Sequence, residues 1–141
     1  MTNSNYPVSM SFPLRWGEMD ALGHVNNAVY FSFFEDVRIK YLERLGFNTF
    51  TPEFSLGAVL AQIDCQFLRQ LEYPDTITLG CRVERIGNTS LTMIYEVYSE
   101  NLNAIAAKGS SVVVMVNYQT GQKFRVPEEM RQKIAELEGS K

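Results

Sequence analysis

The 141-residue sequence has no long hydrophobic run and little excess charge. Its longest unbroken apolar run, residues 112–116, is far shorter than the ~20 residues of a membrane-spanning helix, which excludes such a helix. The 13 Lys and Arg residues against 16 Asp and Glu give a net charge of −3 and form no basic run, which argues against nucleic-acid binding. Residues 1–7 have neither the basic nor the apolar part of a secretory signal, so we expect a cytoplasmic protein.

Cysteine and histidine are scarce, and the motifs of several enzyme classes are missing. Cys65 and Cys81 fall within strand-like patterns, so we expect buried thiols and no disulfide framework. With His24 as the one histidine, the chain has neither H-E-x-x-H nor paired C-x-x-C, and no metal site is expected. The absence of G-x-S-x-G, a P-loop and G-x-G-x-x-G excludes a serine-hydrolase elbow and gives no support for a nucleotide cofactor. We therefore predict no cofactor.

The sequence is long enough for one domain, and apolar and polar residues alternate over much of it. A chain of this size builds one core, so residues 1–141 are expected to form one domain, with any large substrate on its surface or between subunits. A period of two predicts strands over residues 8–16, 59–68, 77–83, 91–98 and 104–118. A long helix is predicted from about Asn27 to Leu45, with Asn26 or Asn27 as its cap and Gly46 suited to its end. A short helix is predicted to run to about Leu137, with Pro127 at its first position.

The order of these elements is one strand, a long helix and then four strands. Short turns typically join antiparallel neighbours, so we predict a meander for the last four strands. The first turns of the long helix are apolar on nearly every side, so the sheet should curl around it in an α+β architecture. Pro13 places the first strand at a sheet edge, and unprotected edges favour pairing with a second copy.

The loop that precedes the long helix concentrates the polar chemistry of the chain. Asp20, His24, Asn26 and Asn27 all lie within eight residues, directly before the buried helix. A helix start carries unpaired N–H groups and about half a positive charge, which stabilise a developing oxyanion. A carboxylate facing that start would complete the minimum equipment for acyl-transfer hydrolysis. A purely structural role is also open, because such residues cap helices and turns.

The pattern D-x-x-G-H-V-N-N-x-x-Y, which runs from Asp20 to Tyr30, resembles that of the hotdog-fold acyl-CoA thioesterases of the 4-hydroxybenzoyl-CoA thioesterase type. Its Gly-His-Val-Asn-Asn stretch looks most like the branch that acts on fatty acyl-CoA and the related acyl-carrier-protein thioesterases. The resemblance covers residues 8 to about 126. It implies a five-stranded antiparallel sheet wrapped around one central helix, hydrolysis of a fatty acyl-CoA to free acid and CoA, and a homodimer or homotetramer with active sites at the subunit interface.

The resemblance also implies roles for individual residues. In that family a carboxylate at the position of Asp20 is catalytic, as general base or nucleophile, and a backbone N–H near Asn27 polarises the thioester carbonyl. Tyr30 could be a wall of the site, although apolar residues four and seven positions later favour a place in the core. The further candidates from the motif are His24, Asn26, Gly23 and Tyr30.

The family binds the phosphates of coenzyme A near the turn between its third and fourth strands, where some members have arginines. The candidate ligands in this chain are Arg85, Asn88 and Ser90.

Two other functions stay open at this level. Hotdog hydratases and dehydratases also act on acyl thioesters, with a histidine and an acidic residue. The presence of His24 leaves this function open. A non-catalytic acyl-CoA binding or sensing protein would use Asp20 only to cap its loop. Release of a free thiol is the observation that separates hydrolysis from both.

Overall fold

The computed structural model describes residues 6–46 and 56–139 of the chain. The prediction about a secretory signal falls almost wholly on residues outside that part. In chain order the elements are β1 (Val8–Pro13), a 3₁₀ turn (Trp16–Glu18), α1 (Asn27–Arg44), β2 (Leu56–Phe67), β3 (Thr76–Ile86), β4 (Ser90–Ser99), β5 (Ala104–Asn117) and α2 (Glu128–Leu137). Neither α1 nor α2 is long and apolar enough to cross a membrane.

The described strands form one antiparallel sheet in the order β1-β3-β4-β5-β2. As Pro13 predicts, β1 is at an edge, and β3, β4 and β5 form a meander. The predicted meander is wrong for β2, which pairs with β5 at the opposite edge. Their register runs from Leu56 opposite Asn117 to Phe67 opposite Ala107.

The segment between β2 and β3, residues 68–75, explains that difference because it is not a hairpin turn. The backbone N–H groups of Leu68 and Arg69 both donate to the Ala106 carbonyl, at 2.9 and 3.0 Å, which holds the chain against the start of β5. Leu71 is fully buried. We call residues 68–75 the crossover segment, since it carries the chain from one edge of the sheet to β3.

Both ends of α1 follow local signals in the sequence. Of the two predicted capping residues, Asn26 is the cap, and its side-chain oxygen accepts the Ala28 N–H at 2.9 Å. Gly46, with a φ of +92°, follows the last turn, in the left-handed conformation that suits glycine. At α2, Pro127 stands at the capping position, one residue before the predicted place.

The concave face of the sheet wraps around α1, which gives the predicted α+β architecture. Phe34 stacks on Tyr95 of β4, with ring centroids 4.7 Å apart and ring planes 11° apart. The aromatic contacts that join α1 to the two edge strands are Tyr30 with Phe67 and Phe33 with Phe12. The enclosure is less complete than predicted, because Phe31 in the first turns of α1 is 36% exposed.

The first strand is shorter than the alternating pattern predicts. It ends at Pro13, which has no N–H to donate to a neighbouring strand, and the chain then enters the 3₁₀ turn. Trp16 is consequently 72% exposed and packs against Tyr73 of the crossover segment. Alternation alone did not indicate where the strand stops.

Neither cysteine forms a disulfide. Cys81 is buried as predicted, whereas Cys65 is only partly buried because its strand, β2, lies at a sheet edge. Burial raises the pKa of the Cys65 thiol to about 11 and also raises that of Cys81. Both side chains are therefore thiols and not reactive thiolates near neutral pH.

Candidate active site

A closed turn over residues 20–24 holds the Asp20 carboxylate in place. One oxygen, Oδ1, accepts the Leu22 N–H at 2.9 Å and the His24 N–H at 3.4 Å. The Asp20 N–H donates to the His24 carbonyl at 2.8 Å, and Gly23 supplies the φ of +86° that the turn requires. The second oxygen, Oδ2, has no hydrogen-bond partner within the described ranges. Asp20 thus uses only one of its two carboxylate oxygens to close the turn.

This turn is anchored on both sides. The Asn26 N–H donates to the Glu18 carbonyl at 3.0 Å, which fixes the entry to α1. The Val25 N–H donates to the carbonyl of Leu71 at 2.9 Å, so the loop is bonded directly to the crossover segment. The position of Asp20 therefore depends on residues that are distant in sequence.

The start of α1 presents a backbone donor beside the turn. Asn26 accepts the Ala28 N–H with its side chain and the Val29 N–H with its carbonyl, both at 2.9 Å. The N–H of Asn27, the first residue of the helix, has no acceptor among residues 6–46 and 56–139. An unpaired N–H at a helix start suits a developing oxyanion.

A cavity of about 400 Å³ opens between this loop, the helix start and the end of β2. It brings together four residues predicted from the sequence, namely Asp20, His24, Asn27 and Tyr30. Asn26 acts as the helix cap and Gly23 belongs to the turn, so both shape the loop without lining the cavity. The volume is in the range of small-molecule sites.

Tyr30 is both core and cavity wall. The residue is 2% exposed, and its hydroxyl oxygen accepts the backbone N–H of Leu71. Burial raises its pKa to about 12, so the phenol stays protonated at physiological pH. Its ring meets Phe67 edge-on, with centroids 5.0 Å apart. Tyr30 therefore ties α1 to β2 and to the crossover segment.

His24 also contacts the crossover segment. Its Nε2 atom lies 3.5 Å from Oε2 of Glu72, close enough for an ion pair when the imidazole is protonated. The histidine is partly exposed and lines the cavity beside Asp20. It is thus placed to contact a substrate or to hold the loop.

Six further residues line the cavity that sequence reasoning missed. They are Leu22, Val25, Phe67, Leu68, Arg69 and Gln70. Leu22 and Val25 fall inside the recognised motif, but the other four come from the end of β2 and the crossover segment. No periodicity or motif marks those four, because their role depends on which strand β2 pairs with.

The predicted ligands of the coenzyme A phosphates lie outside this cavity. Arg85 lines a separate groove between β3 and α2. At the β3–β4 turn, the Asn88 carbonyl accepts the Val126 N–H at 2.8 Å, and the Ser90 carbonyl accepts the Gly87 N–H at 2.7 Å. The phosphate assignment of Arg85, Asn88 and Ser90 stays a prediction.

Over the described ranges 6–46 and 56–139, no three His, Cys, Asp or Glu side chains are grouped so that they could hold a metal ion.

The sequence profile of the thioesterase-like superfamily matches residues 14–134. This chain belongs to the thioesterase-like superfamily. Among solved structures, it is similar to a thioesterase from Thermus thermophilus complexed with coenzyme A and zinc, with 32% identity, a TM-score of 0.83, and coverage of 97% of this chain and 98% of that one.

Two curated proteins are also similar to this thioesterase-like protein. YsmA of Bacillus subtilis is 31% identical over 127 residues, which cover 86% of this chain and 84% of YsmA. The long-chain acyl-CoA thioesterase FadM of Escherichia coli is 21% identical over 124 residues, 88% of this chain and 94% of FadM. The expected family, the hotdog fold and the enzyme class, a thioester hydrolase, are confirmed.

Proposed function

We propose that this thioesterase-like protein hydrolyses acyl-CoA thioesters to a free acid and CoA, with Asp20 as its catalytic carboxylate. One observation carries the proposal: Asp20 and Asn27 line the same cavity, and the Asn27 N–H has no acceptor in the described part of the chain. Coenzyme A as the thiol carrier is supported by the Thermus thioesterase, which was solved in complex with it. The same pairing of groups is less useful to a protein that only binds acyl-CoA.

In the proposed reaction, the thioester carbonyl oxygen accepts the Asn27 N–H, which draws electron density from the carbonyl carbon. Asp20 then takes a proton from a water molecule, and the hydroxide attacks that carbon to form a tetrahedral intermediate. The C–S bond of the intermediate breaks, and the departing CoA thiolate takes the proton from Asp20. Alternatively, Asp20 attacks directly, CoA leaves as the thiolate, and water hydrolyses the mixed anhydride. Either route ends in a carboxylic acid and the thiol of CoA. Both routes use the Oδ2 atom that the turn does not engage.

Several finer points stay predictions. A fatty acyl group, with a role in lipid metabolism, is supported by the similarity to FadM. Three other expectations also stay predictions. They are an acyl-carrier-protein thioester as an alternative substrate, a cytoplasmic location, and one domain over residues 1–141.

The test is a thiol-release assay on the purified protein with short, long and aromatic acyl-CoA substrates. We expect one free thiol per thioester consumed. The protein's own cysteines add little background at pH 7 to 8, because burial raises the pKa of both. A change in enoyl absorbance with the thioester intact would instead identify a hydratase. Tight binding without turnover would identify a binding protein.

We also propose that the protein works as a homodimer that pairs along β2. This strand is 12 residues long and lies at a sheet edge. Among residues 6–46 and 56–139, no strand pairs with its outer row of backbone donors and acceptors. Its apolar side chains Val59, Leu60 and Phe67 are each at least 40% exposed. Because Phe67 also lines the cavity, a partner on β2 would lie beside the site. Pairing of two dimers into a tetramer has no separate support.

Replacing Leu60 with lysine is expected to dissociate this dimer. A two-fold interface would bring two such lysines close together, which weakens association by about tenfold or more. Leu60→Lys should therefore sediment as a monomer at concentrations where the wild type is dimeric, with reduced kcat.

The matched control is Leu102→Lys in the turn between β4 and β5, where the leucine is 43% exposed against 40% for Leu60. This variant should keep the wild-type mass and activity. The same mass for all three proteins would argue against an interface at β2.

A further inference from the structure

Arg69 is a cation in the candidate active site that the proposed reaction does not use. It lies in the crossover segment and lines the same cavity as Asp20 and Asn27. Its backbone is held by the bond to the Ala106 carbonyl, and the residue is exposed. Its guanidinium forms no ion pair or hydrogen bond with any residue in the described part of the chain.

The chemistry of a thioester limits what this guanidinium can bind. The phosphates of coenzyme A stand at the far end of the pantetheine arm, which is longer than a cavity of about 400 Å³ is wide. The pantetheine arm beside the thioester sulfur is neutral, so an anionic partner for Arg69 within this cavity would come from the acyl part. A guanidinium binds a carboxylate with two parallel hydrogen bonds, and Gln70 adds a neutral donor beside it.

A long aliphatic chain fits this end of the cavity poorly. It would cover Arg69 and Gln70 without giving either side chain a hydrogen-bond partner, and burial of unpaired polar groups is costly. An acyl group with a distal carboxylate would give both Arg69 and Gln70 a hydrogen-bond acceptor. Its methylenes would contact Leu22, Val25 and Leu68. Since Asp20 repels a second carboxylate, a few methylenes must separate that group from the thioester carbon.

We infer that the preferred substrates are CoA monothioesters of short dicarboxylic acids, whose distal carboxylate is bound by Arg69. This inference rests on the proposed thioester hydrolysis and replaces the fatty acyl group by an anionic one. Arg69 is thus assigned as a specificity-determining residue that contacts the substrate, while Asp20 carries out the chemistry.

The test compares adipoyl-CoA with hexanoyl-CoA, which have six acyl carbons and differ in a terminal carboxylate or methyl. The wild type should hydrolyse adipoyl-CoA with the higher kcat/KM. Arg69→Gln should lower kcat/KM for adipoyl-CoA by about tenfold to a hundredfold and leave hexanoyl-CoA nearly unchanged. The control, Arg125→Gln, removes an exposed arginine outside the cavity and should change neither value.

Other results would overturn the inference. If Arg69→Gln slows both CoA substrates equally but spares the matching acyl-pantetheine thioesters, Arg69 binds the CoA phosphates. If hexanoyl-CoA is hydrolysed and Arg69→Gln leaves the adipoyl to hexanoyl ratio unchanged, Arg69 does not read the acyl group, although the proposed function stands.

If neither thioester is hydrolysed, and the long and aromatic acyl-CoA substrates of the thiol-release assay are not hydrolysed either, the proposed function fails. Product binding then tests Arg69 by itself. Adipate, but not hexanoate, should then raise the unfolding temperature of the wild type and not that of Arg69→Gln. Equal behaviour of the two acids would overturn the inference.

Discussion

Asp20→Asn is expected to lower kcat by about 10²- to 10⁴-fold, the range associated with loss of a general base. Asparagine has nearly the same shape, and its side-chain oxygen can still accept the N–H groups of Leu22 and His24 that close the turn. The amide nitrogen that replaces Oδ2 can neither accept a proton from water nor attack the thioester. KM should change little, because the lost interaction acts mainly in the transition state.

The measurement is steady-state thiol release, together with thermal unfolding to show that the turn and the fold are intact. Asp36→Asn is the control, since Asp36 is an exposed carboxylate of α1 that lies outside the cavity. It should keep the wild-type kcat. If Asp20→Asn retained nearly full turnover, Asp20 would be a turn-closing residue only, as the structural interpretation of this loop proposes.

Gly109→Ala is expected to destabilise the protein by about 1 to 3 kcal/mol or more, the cost of overpacking a close-packed core. A β-carbon at this position would lie 2.4 Å from Cε2 of Phe34 and 2.5 Å from the carbonyl oxygen of Asp64. Phe34 cannot move away freely because it stacks on Tyr95. Asp64 belongs to β2, so moving its backbone would disturb the β2–β5 pairing.

Chemical denaturation measures this effect as a lower midpoint with an unchanged slope. Gly17→Ala is the control, because a β-carbon there has no heavy atom within 4 Å and the residue has no positive φ. Its free energy of unfolding should stay within about 0.5 kcal/mol of the wild type. Equal stability of both variants would mean that Phe34 of α1 can move away from Gly109 at little cost and that α1 is not tightly packed on β5.

The sequence predicts the parts of the site that are local in the chain. Asp20 and Asn27 are separated by one turn, and the capping residue Asn26 and the terminating Gly46 fix where the helix begins and ends. Such features depend on hydrogen bonds between residues a few positions apart, which a sequence displays directly. The resemblance to a family rested on the same stretch.

The sequence does not predict the opposite wall of the cavity. An alternating pattern shows that β2 is a strand, but it does not show which strand β2 pairs with. In the structure β2 pairs with β5, whereas a meander would have paired it with β3. That choice decides where Phe67 and Arg69 lie, and therefore that they face Asp20. The early end of β1 and the exposure of Trp16 were missed for a related reason, since alternation continues past the point where Pro13 stops the pairing.

The pairing of β2 with β5 also determines when the site can exist during folding. The strands β3, β4 and β5 are joined by short turns. The partner of β2 is β5, which follows both β3 and β4 in the chain. Closing so long a loop costs more entropy than forming a hairpin, so we expect this pairing to form late. On the ribosome, the Asp20 turn and α1 emerge early, but the cavity cannot be complete until β5 has been synthesised.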